Sequence, residues 1–363
     1  MNKKILIIIN NLGIGGAERL VVDDINEMLR MGIDVVFITL KPEYKKSFAI
    51  ELKLGPDKFY YIPFKHFLNI LSWIKIFRTL RSFKPDLVIT QLWFANTVGR
   101  IAATIAGVKR IISFEQNVYD TVKTRKMFFI DWWLQFLSTK IIAVSEAVKK
   151  SLVRHSIQEA RIDVLHNSID LAKFLVPCDR FKIRQEYDIP RQAFLFIFIG
   201  RLIPQKAVDI LISAFKKLDS ESYLLIVGQG KDREKLEQQV KMNELEKRVV
   251  FTGIRNNIPQ LLLSSDCFIL PSRYEGSPLV LTEALAARVA IIVSDFEAAE
   301  EIITPEKNGL VVPRENVESL AQAMIRIRAD DVLRARLISE AKKTVERFSI
   351  SHHVESLLHY INV

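Results

Sequence analysis

The feature that most constrains this chain is a repeated switch between short apolar runs and longer runs of helical period. It begins at once. Residues 5–9 are unbroken isoleucine and leucine, glycines follow at 13, 15 and 16, and residues 16–31 carry apolar side chains at helical spacing. Strands that alternate with helices argue for a parallel α/β architecture. The first series predicts strands at 4–9, 34–40, 86–90, 110–114, 140–144 and 162–165, with helices at 16–31, 94–106 and 146–154. A second series predicts strands at 194–200, 223–228, 249–252, 267–270, 290–294 and 310–312, with helices at 206–218, 232–242 and 278–287.

The 363 residues, 49% of them apolar, are enough for two ordinary cores. The expected division is a first doubly wound domain over 1–170, a connection over 171–192 with Pro177 and Pro190 near its ends, and a second domain over 193–345. A helical tail over 346–363 is expected to cross back to the first domain. In open sheets, ligands bind beyond the carboxyl ends of the strands, so a cleft between two such domains is the expected site.

The two cysteines, Cys178 and Cys267, make neither a disulfide nor a zinc framework. The apolar start is too short for a secretory signal, and no apolar stretch reaches the roughly 18 residues that span a bilayer. A cytoplasmic location is expected. Charge is unevenly placed: residues 1–180 hold 27 Lys and Arg against 17 Asp and Glu, whereas residues 181–363 hold 25 of each. An excess confined to one half points to an anionic partner for that half. Segments 64–84 and 121–137 interleave cations with bulky apolar residues. Trp73, Ile76, Phe77 and Leu80 share one helical face, with Lys75, Arg78 and Arg81 on the other. Lys123, Arg125 and Lys126 precede Phe128, Phe129, Trp132 and Trp133. That composition suits an anionic membrane surface, although ordinary core-facing helices also fit it. Nucleic acid is not the expected partner, because no recognised module accompanies the charge.

The chemistry concentrates in residues 271–287. Glu275 and Glu283 lie eight residues apart and flank the turn Gly276-Ser277-Pro278, from which a helix runs through Leu279 and Val280. Backbone N–H groups at a helix start favour an anion. Carboxylates on both sides of an anion site suit a ligand that also carries hydroxyls, and a nucleotide sugar is such a ligand. Glu283, between Leu281 and Leu285, reads as partly buried and fit for a ribose diol, or as a solvated helix residue. Arg201 and Lys206, five residues apart across a strand-to-helix turn, can converge on a diphosphate; two solvated cations are the plainer reading. Gly228, Gly230 and Gly253 follow strands and are expected to let a ligand approach the backbone. Gly13, Gly15 and Gly16 lack a dinucleotide fingerprint, since Glu18 stands where its third glycine would be. Glu115, Gln116 and Asn117 follow a strand and are expected to face the cleft. His166 reads as structural.

Together these motifs resemble the family-4 glycosyltransferases, over nearly the whole chain from Gly15-Gly16-Ala17-Glu18-Arg19 to the Glu275 and Glu283 pair. The resemblance implies the GT-B fold, two Rossmann-like doubly wound parallel-sheet domains facing a cleft. The first would bind the acceptor and the second the nucleotide-sugar donor. It implies retention at the anomeric carbon without a metal or other cofactor. Arg201 and Lys206 would hold the diphosphate, Glu283 the ribose, and Glu275 would lie near the donor sugar. The amides of Ser277 to Val280 would contact phosphate or sugar, with Gly15 and Gly16 approaching from the opposite domain. Arg201, Lys206 and Glu275 are the catalytic candidates, and Glu115, Gln116 and Asn117 the acceptor-side ones. The implied reaction moves a sugar from a UDP-sugar to a polyprenyl-diphosphate-linked glycan at the cytoplasmic membrane face, in bacterial surface glycan synthesis. A nucleotide-sugar epimerase of the same fold and a non-catalytic sugar-binding module are the alternatives. The chain departs from the family pattern at Ala207, where glycine is usual, at His166-Asn167-Ser168, and at Glu115 and Gln116, near which many members place a histidine.

Overall fold

The computed structural model describes residues 3–42, 47–118, 123–175 and 177–361. The chain divides into two compact units, Met1–Ile169 with Ser349–Val363, and Asp170–Phe348. Each is a parallel sheet with helices.

In the first unit the strands are β1 (Lys4–Ile9), β2 (Asp34–Thr39), β3 (Phe59–Tyr61), β4 (Leu87–Gln91), β5 (Ile111–Glu115), β6 (Lys140–Ala143) and β7 (Ile162–Val164). They lie in the order β3-β2-β1-β4-β5-β6-β7. The helices are α1 (Gly16–Arg30), α2 (Ile70–Phe83), α3 (Trp93–Ile105), α4 (Arg125–Leu134) and α5 (Glu146–Arg154). Near-continuous burial of the central strands is what a sheet covered on both faces demands. Val21, Val22, Ile25 and Met28 of α1 cover one face, and Ile76, Leu80, Val98 and Ala102 of α2 and α3 the other. The edge strand β3 is absent from the sequence expectation, because three residues are too few to show a period.

In the second unit α6 (Arg180–Glu186), β8 (Phe194–Ile199), α7 (Val208–Phe215), β9 (Ser222–Val227), α8 (Arg233–Met242), β10 (Val249–Gly253), α9 (Ile258–Leu263), β11 (Cys267–Leu270), α10 (Leu279–Ala286), β12 (Ala290–Ser294), β13 (Leu310–Val312), α11 (Val317–Ala329) and α12 (Asp331–Val345) follow one another. The strand order is β10-β9-β8-β11-β12-β13. The stretch expected as a connection is part of this unit. Arg184 of α6 is buried, donating to the carbonyls of Ser264 and Ala193 and to Asp266 Oδ2 at 2.7 Å. Asp266 in turn accepts from the amide of Leu195 at the head of β8. A guanidinium is buried at low cost only when its donors are matched, as they are here.

The last helix, α13 (Ile350–His359), belongs to the first unit and packs on α1. His353 sits at its centre, fully buried. Its Nδ1–H donates to the carbonyl of His166 at 3.0 Å, and its Nε2 lies 3.6 Å from Asp24 Oδ1. This is not an ion pair. Burial holds His353 down to about 4, and burial, with Asp23 beside it, pushes Asp24 well up, so each is driven to its neutral form. In the unfolded chain a histidine titrates near about 6.5. Between those values only the unfolded chain binds the proton. The contribution of His353 to stability is therefore complete above about pH 6.5 and lost as pH falls toward about 4. Asp24 slopes the opposite way, so the test is a comparison. Relative to His353→Gln, the wild type is expected to lose on the order of 3 kcal/mol across that window. Urea unfolding of both proteins at matched pH checks it, and parallel pH profiles would contradict it.

Candidate active site

The second unit places its candidate residues at one point in the fold. β8 and β11 are neighbours, and strand order reverses between them. Arg201 and Lys206 follow β8, and residues 271–278 follow β11, so both loops leave the carboxyl ends of the two strands at the switch point. The loops are tied to each other. The amide of Arg273 donates to Gln205 O at 2.8 Å, and Gln205 Nε2 donates to Tyr274 O at 2.9 Å. The Arg273 side chain reaches back to the carbonyl of Pro204, with Glu315 and Asp209 also in contact.

At the centre is an ion pair. Lys206 Nζ donates to Glu275 Oε1 at 2.6 Å, and each residue is 8% exposed. Ser272 Oγ donates to the same oxygen at 2.6 Å, and Gln205 Nε2 lies 3.4 Å from the other. Arg201 is exposed, and among the described residues its guanidinium has no ion-pair partner. The two cations therefore differ: Lys206 is buried and paired with Glu275, whereas Arg201 is exposed and without an ion-pair partner among the described residues. Pro278 caps α10 with extended backbone and Leu279 begins it, so the helix start falls beside this pair. Glu283 is partly buried one turn further on. Gly276, Ser277 and Val280 lie in the same loop and first turn.

Two glycines expected to admit a ligand have another reason. A Cβ on Gly228 would stand 1.9 Å from Gly200 O, and one on Gly230 would stand 2.1 Å from Leu202 O. The backbone that approaches them is the neighbouring loop itself. Gly253 has φ +71 and nothing but an Arg233 nitrogen near its missing side chain. Ala207 also holds the left-handed region, at φ 49, which explains why glycine would be the easier residue there.

In the first unit, Gly15 caps α1 and Gly16 opens it, at the carboxyl end of β1. Glu115 ends β5, and Gln116 and Asn117 follow it. Glu115 is 2% exposed and accepts from Asn96 Nδ2 at 3.1 Å and Lys123 Nζ at 3.0 Å. Lys123 also donates to Asp131 Oδ2 at 2.8 Å, and Arg100 Nη2 donates to Asp131 Oδ1 at 3.0 Å. Burial and the nearby Glu115 charge push the Asp131 carboxyl up, against the pull of the two cations. Gln116 is also buried and donates to Gln91 at 3.2 Å; Asn117 is half-buried. Lys123 was expected at a membrane surface beside Arg125 and Lys126. Its side chain is 1% exposed, because two carboxylates neutralise it from inside. Arg125 and Lys126 are exposed, and residues 121 and 122 lie outside the described residues. His166 Nδ1 lies 3.2 Å from Val144 O, and the His166 carbonyl accepts from His353. Sequence reasoning missed Ser272, Gln205, Arg273 and Arg100. The first three lie in or beside the two motifs, but their orientation depends on contacts between distant loops.

Comparison with known proteins agrees with the fold and the motifs. Residues 14–173 match the family described as Glycosyltransferase Family 4, and residues 179–344 match Glycosyl transferases group 1. An uncharacterised glycosyltransferase of Methanocaldococcus jannaschii is 30% identical over 287 residues, spanning 73% of this chain and 72% of that protein. The Escherichia coli UDP-Gal:alpha-D-GlcNAc-diphosphoundecaprenol alpha-1,3-galactosyltransferase is 29% identical over 303 residues, 80% of this chain and 78% of that protein. The crystal structure of Anabaena HepE in complex with UDP and glucose superposes with a TM-score of 0.89, covering 99% of this chain and 100% of that one at 22% identity. That likeness is one of fold.

Proposed function

This chain belongs to glycosyltransferase family 4, and from that premise we propose that it transfers a sugar, with retention, from a UDP-sugar to a polyprenyl-diphosphate-linked glycan. The observation that carries the donor assignment is the Lys206–Glu275 pair, set beside the start of α10 at the switch point of the second sheet. The E. coli relative is named for a UDP-sugar donor and a diphosphoundecaprenol acceptor, which supports the substrate classes. The excess of positive charge in residues 1–180 supports work at an anionic membrane surface, on the cytoplasmic face.

The leaving group of such a reaction is a nucleoside diphosphate, on which negative charge grows as the glycosidic bond breaks. Arg201 is available to grip it as a fork, Lys206 as a point charge, and the backbone N–H groups of Ser277, Leu279 and Val280 as helix-start donors. Fixed donors aimed at developing charge lower the barrier without reorganisation. These groups let the reaction run without a metal ion. Glu275, anchored by Lys206 and Ser272, keeps the lysine in place and offers its other oxygen to a sugar hydroxyl. Attack by the acceptor on the same face needs no protein nucleophile, and the leaving phosphate takes the acceptor proton. Glu283 serves the ribose hydroxyls, and Gly253 offers backbone near the donor.

The test is a screen of UDP, GDP and ADP and their common sugars, following thermal stabilisation and the anomer released by slow donor hydrolysis. Stabilisation by UDP compounds and release of the donor's own anomer are expected. Inversion, or no response to any nucleotide, would overturn the reading. Glu283→Ala is expected to raise the donor KM about tenfold or more with little change in kcat, because ribose is held alike in ground and transition states. A loss confined to kcat would contradict that role.

A further inference from the structure

Phe67, Leu68, Ile70, Leu71 and Ile74 are all exposed, Leu68 by 84%, Ile70 by 71% and Leu71 by 72%. Five large apolar side chains in eight residues form a contiguous patch of the kind that marks an interaction site. It is not a loose loop. Asn69 caps α2 by accepting from the amide of Ser72 and donates to Pro63 O at 3.3 Å. Trp73 Nε1 donates to Phe67 O at 2.7 Å, and the Phe67 ring packs 4.9 Å from that of Phe94. Ile76 and Leu80 are spent in the core on the opposite side of the helix. The patch is thus presented outward by a fixed scaffold.

Its charge surroundings name the partner. Between Asp57 and Asp86 the sequence holds no acidic residue, while Lys58, Lys65, Lys75, Arg78, Arg81 and Lys84 all fall there. Lys65, Lys75, Arg78 and Arg81 are exposed, and among the described residues none of Lys75, Arg78 and Arg81 has a carboxylate partner. Tyr60 and Tyr61, on the adjoining edge strand, are exposed as well. Apolar side chains followed along the same helix by three cations with no carboxylate partner among the described residues, and flanked by tyrosines, fit an anionic lipid interface, where chains enter the acyl boundary and cations meet headgroups. A protein partner would be expected to meet some matching carboxylates, and a soluble ligand would need a pocket.

We propose that the loop before α2 and its first two turns, residues 67–74, form a wedge that docks the first unit on an anionic bilayer, with Lys75, Arg78 and Arg81 as its headgroup contacts. The proposal rests on the membrane-linked acceptor proposed above and narrows it to one surface.

The test uses the full chain and vesicles of equal parts phosphatidylglycerol and phosphatidylcholine, with no substrate present. The triple variant Leu68→Ser, Ile70→Ser, Leu71→Ser is expected to bind about tenfold or more weakly than the wild type. The triple variant Lys75→Ser, Arg78→Ser, Arg81→Ser is expected to lose about tenfold or more on these vesicles and most of its salt dependence. Leu71→Trp fluorescence is expected to shift to the blue on binding and to be quenched by lipids labelled in the upper acyl chain. Donor hydrolysis without lipid is expected to be unchanged in every variant, which separates this surface from the donor site. Binding by the serine variant equal to wild type, or no vesicle binding by the wild type, overturns the wedge whatever the donor assay shows. Self-association in the absence of lipid that the serine variant abolishes would overturn it too, by assigning the patch to a second copy.

Discussion

Lys206→Ala is expected to lower kcat/KM for the donor by about a hundredfold or more, the scale for deleting one fixed donor aimed at developing charge. Lys206 is the buried cation of the site, held at 2.6 Å from Glu275, so water replaces it poorly. Two effects are folded into that substitution, because removing one partner of a buried pair also destabilises, by about 3 kcal/mol or more. Kinetics should therefore be read well below the unfolding transition. Glu275→Gln breaks the same pair from the other side and keeps the cation. The amide keeps a bond to Ser272 but gives Lys206 its full charge. Binding of UDP is expected to hold or tighten while transfer falls, since the lysine is freed for phosphate but the sugar loses its carboxylate. If Lys206→Ala hydrolyses donor at the wild-type rate, the diphosphate assignment fails.

Lys123→Ala is expected to destabilise the first unit by about 3–5 kcal/mol, the range for breaking a buried charge pair from one side. The lysine stands between Glu115 and Asp131, eight residues from each in sequence, and Arg100 also donates to Asp131. Without it two carboxylates face one another in a dry interior, and one must take a proton. The expected result is an earlier urea transition for the first unit, with a pH dependence between about 4 and 7 added to the one that His353 and Asp24 already give the wild type. Lys123→Met with Glu115→Gln, which removes one charge of each sign, is expected to recover part of the loss. A variant as stable as wild type would show that the cluster opens to water. The same substitution bears on the membrane reading: Lys123 ties Asp131 of α4 to Glu115 at the end of β5, while Arg125 and Lys126 are the exposed cations of that segment.

Much of the fold was legible because it rests on local pattern. The predicted bounds of β1, β11, β12 and β13 agree with the structure, since an all-apolar run between turn residues is its own signal. Residues 267–287 also read correctly as strand, turn and helix, because Gly276 and Pro278 punctuate them. The stretch 171–192 misread because its composition is that of a connection. Asp266 and the Ser264 carbonyl, far along the chain, supply partners that let Arg184 be buried. Gly228 and Gly230 misread for a related reason. A missing side chain shows that something comes close, but not whether it is a ligand or the next loop.

The sequence by itself therefore determined the two α/β series, the family, and the residue types gathered after β8 and β11. Hydrophobic period and turn chemistry act over a few residues and are written in order along the chain. Tertiary structure decided which charges meet. It paired Lys206 with Glu275, 69 residues away, left Arg201 open, drew Lys123 inside, and turned residues 67–74 outward. Coulombic attraction and desolvation depend on distance through space and on burial, and a linear sequence specifies neither until the chain has folded.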